Sequence, residues 1–108
     1  MNIELVMTRE EAATESGRLA QELVVHLNEI LQTVVEKNSL YGGAWRQQGW
    51  MGNLARMMSK VARLRSMCWR SDPVNSQSET VEDTARDLIA IAGFFLINRR
   101  DCNRWGSQ

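Results

Sequence analysis

Proline, histidine and cysteine are nearly missing from this chain, at one, one and two of 108 residues. A single proline leaves long helices uninterrupted. A single histidine, His26, allows no Ser/His/Asp or Cys/His arrangement, and neither Cys68 nor Cys102 has a visible activator. The two cysteines show no metal-ligand spacing and are read as free thiols of a reducing compartment. Net charge is also missing, because Lys plus Arg and Asp plus Glu both number 13. That argues against a general nucleic-acid or membrane-surface binder, which carries a basic excess. The longest apolar run, Leu88 to Ile97, is too short to cross a bilayer. The opening MNIELVMTREE has neither a basic nor an apolar signal region, so a cytoplasmic location without a membrane is expected.

What is present is an ordinary globular composition, 44% hydrophobic and 24% charged, in one domain's length of chain. The zero net charge hides a polarised order. Residues 1–40 are acidic on balance, and residues 41–70 carry Arg46, Arg56, Lys60, Arg63, Arg65 and Arg70 with no acid. Residues 71–90 are acidic again. Such an order suits complementary helices packed side by side, or a site that holds a cation with carboxylates and an anion with arginines.

The pattern predicts three main helices. Thr8 and Glu11 form a capping box, so the first helix starts after Thr8 and runs to about Lys37, with Asn38 as its stop. Its apolar set is Leu19, Leu23, Leu27, Ile30, Leu31 and Val34. Residues 38–52, NSLYGGAWRQQGWMG, hold four glycines and two tryptophans and read as an ordered loop. The second helix is expected over about Asn53 to Trp69, with Leu54, Met57, Met58, Val61, Leu64 and Cys68 as its core face. Arg70 to Gln77 reads as a turn. The third helix is expected from Ser78 or Thr80 to about Arg99 or Arg100. It is apolar all round from Leu88 to Ile97, which favours completion of the core by a second copy. Residues 1–7 and 101–108 read as frayed termini of a single domain spanning 1–108.

Glu79, Asp83 and Asp87 recur every four residues, so their carboxylates share one helix face, which continues as Ala90, Phe94 and Ile97. Acids at the mouth of an apolar region repel one another unless a cation offsets them, and Mg2+ is the hard cation for oxygen ligands. The bland alternative is the favourable placement of acids near a helix N-terminus. Glu15, Glu22, Glu29 and Glu36 form a second series on the first helix that faces mostly solvent.

Together the segments KNSLYGGAW, LARMMSKVARLRSM and SETVEDTARDLIAIAGFFL resemble the small MazG-like proteins of bacteria and phages, over about residues 30–98. The most specific parts are Tyr41-Gly42 and Glu82-Asp83…Asp87-Leu88. The resemblance implies an all-α bundle assembling as a homodimer or homotetramer. It also implies Mg2+-dependent hydrolysis of a nucleoside triphosphate to the monophosphate and pyrophosphate. Carried over by position, Glu79, Glu82, Asp83 and Asp87 would supply the metal ligands. Glu36 and Lys60 would act as catalytic groups, and Tyr41, Trp45, Arg46 and Arg63 would border the nucleotide. Two positions depart from the pattern. There is no Glu-Glu-x-x-Glu motif, and Ser59 stands before Lys60 where the small relatives usually carry an acid. An alternative on the same scaffold is therefore a non-catalytic interaction protein, such as a phage-type modulator of a host partner. Nucleic-acid binding through the arginines of the second helix is the third reading, opposed by the acidic helices on either side.

Overall fold

The computed structural model describes residues 2–41, 44–69 and 80–105, with side chains throughout except at 38–41, 44 and 103–105. The described residues are all-helical, in five helices: α1 (Arg9–Ala13), α2 (Glu15–Tyr41), α3 (Ala44–Gln47), α4 (Gly49–Trp69) and α5 (Val81–Trp105). None of them is long and apolar enough to cross a membrane.

The capping box is present as expected. Glu11 N–H donates to Thr8 Oγ1 at 3.1 Å, and Thr8 N–H donates to Glu11 Oε1 at 2.9 Å. The helix it opens is short, however. Thr14 interrupts the expected first helix in an extended conformation (φ −73°, ψ 160°). Its hydroxyl donates to the Glu11 carbonyl at 2.6 Å and accepts from Gly17 N–H at 2.9 Å. One side chain thus ends α1 and caps α2. The two helices meet closely at Gly17, where a Cβ would lie 2.0 Å from the Glu11 carbonyl oxygen. The extended segment before α1 is tied to α2, since Ile3 N–H donates to Asn28 Oδ1 at 2.7 Å.

Asn38 does not stop α2, which runs on to Tyr41. The expected loop over 38–52 is mostly helical in its described part, because α3 and the first turn of α4 lie within it. The turn between them is made at Gly49, whose φ of 69° is the left-handed conformation that favours glycine. Thr80 caps α5, accepting from Asp83 N–H at 3.0 Å. That helix extends past Arg100 to Trp105. The turn expected over Arg70 to Gln77, and Glu79 after it, lie outside the described residues.

α4 and α5 run antiparallel. Asn53 near the start of α4 meets Asn98 near the end of α5, and Lys60 meets Asp87. The chain folds α2 against this pair at Ile30, which is buried with Ile91 of α5. Met67 is the third buried apolar side chain among the described residues. The apolar faces expected from periodicity are therefore only partly inside. Leu19, Leu23, Leu27 and Leu31 of α2 are exposed, and so are Leu54, Met58, Val61 and Cys68 of α4. The inner face of α4 carries instead Asn53, Lys60 and Met67, so its apolar stripe is rotated away from α5. Nor is α5 buried on every side within the chain, as Ile89 and Leu96 are exposed.

Candidate functional site

A cleft of about 530 Å³ opens where α2, α3, α4 and α5 meet. Helical spacing places its walls. Ile30, Val34 and Lys37 come from one stripe of α2, and Asn53, Arg56 and Lys60 from α4. Asp87, Ala90 and Phe94 come from α5. The acidic stripe that turns apolar along its helix thus does face a recess, at Asp87.

Asp87 is the cleft's carboxylate, and two ammonium groups hold it. Lys60 Nζ donates to Asp87 Oδ2 at 3.2 Å, and Lys37 Nζ lies 3.6 Å from Oδ1. Lys60 and Asp87 are both half-buried, so their attraction is screened less than that of a surface pair. Arg56 and Arg86 complete a basic rim. Arg86 also reaches Glu29 Oε2 at 3.4 Å and Asp83 Oδ1 at 3.3 Å, which ties α5 to α2.

The opposite wall is aromatic. Trp45 stacks on Phe94 with ring centroids 4.6 Å apart and planes 23° from parallel. A buried polar clamp holds Trp45 there. Asn98 Nδ2 donates to the Trp45 carbonyl at 3.3 Å and to Asn53 Oδ1 at 2.5 Å, and Asn53 Nδ2 donates to the same carbonyl at 3.3 Å. Every buried side-chain N or O among the described residues has a partner, so the clamp is satisfied.

The other expected site residues fall at varying distances from this cleft. Arg46 pairs with Asp101 and lies 5.8 Å from the Trp45 ring, beside the aromatic wall but outside the lining. Arg63 is exposed one turn past Lys60. Glu36 is exposed and accepts from Gln32 Nε2 at 3.1 Å, next to Lys37 rather than in the cleft. Glu82 and Asp83 are exposed. Glu79 and the side chain of Tyr41 lie outside the described residues. Among the described residues no three His, Cys, Asp or Glu side chains converge to hold a metal ion. Asp87 alone, shared between two lysines, does not make the oxygen cage that Mg2+ takes, so the described residues do not by themselves fit that ion.

No family model, curated protein or solved structure matches the chain. Two of the cleft's charged groups, Lys37 and Arg86, were not among the expected site residues, and Arg56 was expected only on the basic face of the second helix. Each had a signal. Lys37 continues the Ile30 and Val34 stripe by one turn, Arg56 precedes Lys60 by one turn, and Arg86 adjoins Asp87. Asn53 and Asn98 carried none, because two asparagines 45 residues apart declare nothing until α4 and α5 are packed.

Proposed function

We propose that the cleft binds a nucleoside triphosphate and that the chain acts on it as a pyrophosphohydrolase. The observation that carries this reading is the pairing of an aromatic wall, Trp45 on Phe94, with the cationic groups of Lys37, Arg56, Lys60 and Arg86 in one recess. A flat base gains by stacking on an aromatic face. Phosphate oxygens accept charge-assisted hydrogen bonds from ammonium and guanidinium groups. The volume of about 530 Å³ is that of a small-molecule site.

Within this reading Asp87 holds the two lysines apart and ready, at 3.2 and 3.6 Å, until a phosphate competes for them. The reaction adds water to the α-phosphorus and breaks its bond to the α–β bridging oxygen, giving monophosphate and pyrophosphate. Mg2+ belongs to the proposal as the counter-ion carried by the triphosphate, and no protein cage for it is assumed. Assembly of the chain as a homo-oligomer is part of the same reading. A non-catalytic interaction protein is the second reading. It is favoured by the engagement of Asp87 with two lysines and by Ser59 beside Lys60.

Both readings meet one experiment. The protein is incubated with a panel of ribo- and deoxyribonucleoside triphosphates, with Mg2+ or with EDTA, and products are separated by ion exchange. Monophosphate plus pyrophosphate, formed with Mg2+, is the expected result. Asp87→Asn should abolish that turnover while leaving the helical circular dichroism unchanged. Triphosphate binding without turnover would move the chain to the second reading. A panel in which nothing binds by equilibrium dialysis would remove the nucleotide from the cleft altogether.

A further inference from the structure

The cleft already holds an anion, and it is the chain's own. Asp87 of α5 stands between Lys37 of α2 and Lys60 of α4. Each lysine takes a different oxygen of its carboxylate, Lys37 Nζ at 3.6 Å from Oδ1 and Lys60 Nζ at 3.2 Å from Oδ2. A phosphoryl group offers its oxygens to cations in the same way, one to each ammonium. Arg86, on the same rim, is engaged instead with Glu29 and Asp83. The lysine pair is thus the cationic set that this one carboxylate occupies.

Its position lies on the path of a phosphate chain. Phe94 follows Asp87 by two helical turns, about 10 Å, and carries the stack with Trp45. The cleft lining between them on α5, Ala90 and Ile91, is apolar. A nucleotide with its base on the aromatic wall lays its phosphates against the lysines, where Asp87 already stands. Two anions at one pair of ammonium groups repel each other, and partial burial weakens the screening. A phosphate therefore enters only as the carboxylate gives way. Exposure shows which groups have room to move. The Lys60 side chain is 17% exposed and set deepest, Asp87 is 28% exposed, and Lys37 is 56% exposed at the open edge. Asp87 has water to turn into, and Lys37 can follow either anion.

We propose that Asp87 is an internal competitor for phosphate, holding the Lys37–Lys60 pair until the phosphate chain of a ligand displaces it. The inference rests on the phosphate-binding reading of the cleft and adds what sets its affinity. An anion that must displace the carboxylate binds more weakly, in proportion to the fraction of molecules whose lysines are released. A carboxylate in place about nine-tenths of the time weakens binding about tenfold. The exchange also runs in reverse. Return of the carboxylate to the lysines drives pyrophosphate out, so a chain without Asp87 holds its product rather than turning over.

Inorganic pyrophosphate is the probe, titrated calorimetrically in EDTA so that no metal bridges it to a carboxylate. Asp87→Asn should bind it at least about tenfold more tightly than the unmodified protein does. Without added anion the variant should melt lower, since the lysines lose the carboxylate between them. Pyrophosphate should then raise its melting temperature more than that of the unmodified protein. A carboxylate that only ties the helices together predicts no gain in affinity on its removal. Equal or weaker binding by Asp87→Asn therefore overturns the exchange, and triphosphate binding by the unmodified protein would in that case leave the nucleotide reading standing. Failure of pyrophosphate and of every triphosphate to bind either protein would overturn both. Should Asp87→Asn not fold, the unmodified protein decides. The carboxyl carbon resonance of Asp87 should move as pyrophosphate is added, and a resonance that stays in place while pyrophosphate binds overturns the proposal.

Discussion

Asn98 shows how much one side chain can do here. It is 5% exposed, just past the apolar run of α5, and its amide reaches both the Asn53 side chain and the Trp45 carbonyl. Trp45 in turn presents its ring to Phe94 at the cleft. The clamp thus converts α4–α5 packing into the position of an aromatic wall contributed by the four-residue helix α3. Asn98→Ala leaves the Asn53 carbonyl oxygen without this donor and opens a small hole beside it. Losing a buried hydrogen-bond partner costs about 1–3 kcal/mol. We expect the urea midpoint to fall accordingly, and tryptophan emission to shift to the red as Trp45 leaves its stack. Unchanged emission at reduced stability would mean that Trp45 keeps its place without the Asn98 amide.

At the scale of the element, α1 carries the clearest pH signature. Glu11 accepts from the Thr8 backbone N–H, and also interacts with the Thr8 side chain, and both hold its carboxyl below the ordinary glutamate value. A carboxyl lowered on folding lends stability above its unfolded value and loses it as pH falls through the lowered one. α1 should therefore fray in that acid range, before the long helices change. Amide chemical shifts of Arg9 to Ala13 followed against pH would show it, and Glu11→Gln should remove the pH dependence. This cap was legible in the sequence because all its partners lie within four residues. Thr80 as the cap of α5 was legible for the same reason. The break at Thr14 was not, because apolar periodicity resumes on the far side and the break depends on one hydroxyl serving two helices. The glycine- and tryptophan-rich stretch suggested a loop by composition, yet its described residues are largely helical, with a single left-handed residue, Gly49, making the turn. Periodicity found the apolar stripe of α4 and Asp87's place at an apolar recess. It could not tell which stripe the chain itself would cover. That depends on Asn53 and Lys60 finding Asn98 and Asp87, which are polar contacts between distant residues.

Over the whole molecule, the polarised charge order resolves into contacts between helices. Basic Lys60 of α4 and Lys37 of α2 meet acidic Asp87 of α5, and Arg86 of α5 meets Glu29 of α2. These pairs align the helices but bury little apolar surface. The Cα radius of gyration is 16.5 Å, against about 13 Å for a compact domain of this length. The proposed homo-oligomer would cover part of the apolar surface that one copy leaves exposed, and association of that kind has a thermodynamic signature. When unfolding is coupled to dissociation, a tenfold rise in protein concentration stabilises the dimer by about 1.4 kcal/mol. The unfolding entropy is about 2.1 cal/mol/K per residue, or about 450 cal/mol/K for two chains of 108 residues. The melting temperature should then rise by about 3 °C for each tenfold increase in concentration. A self-sufficient monomer would melt at one temperature at every concentration. Calorimetry from 5 to 500 μM spans two such decades, so a coupled dimer should shift by about 6 °C across it, and a flat series would mean that the chain folds without a partner copy.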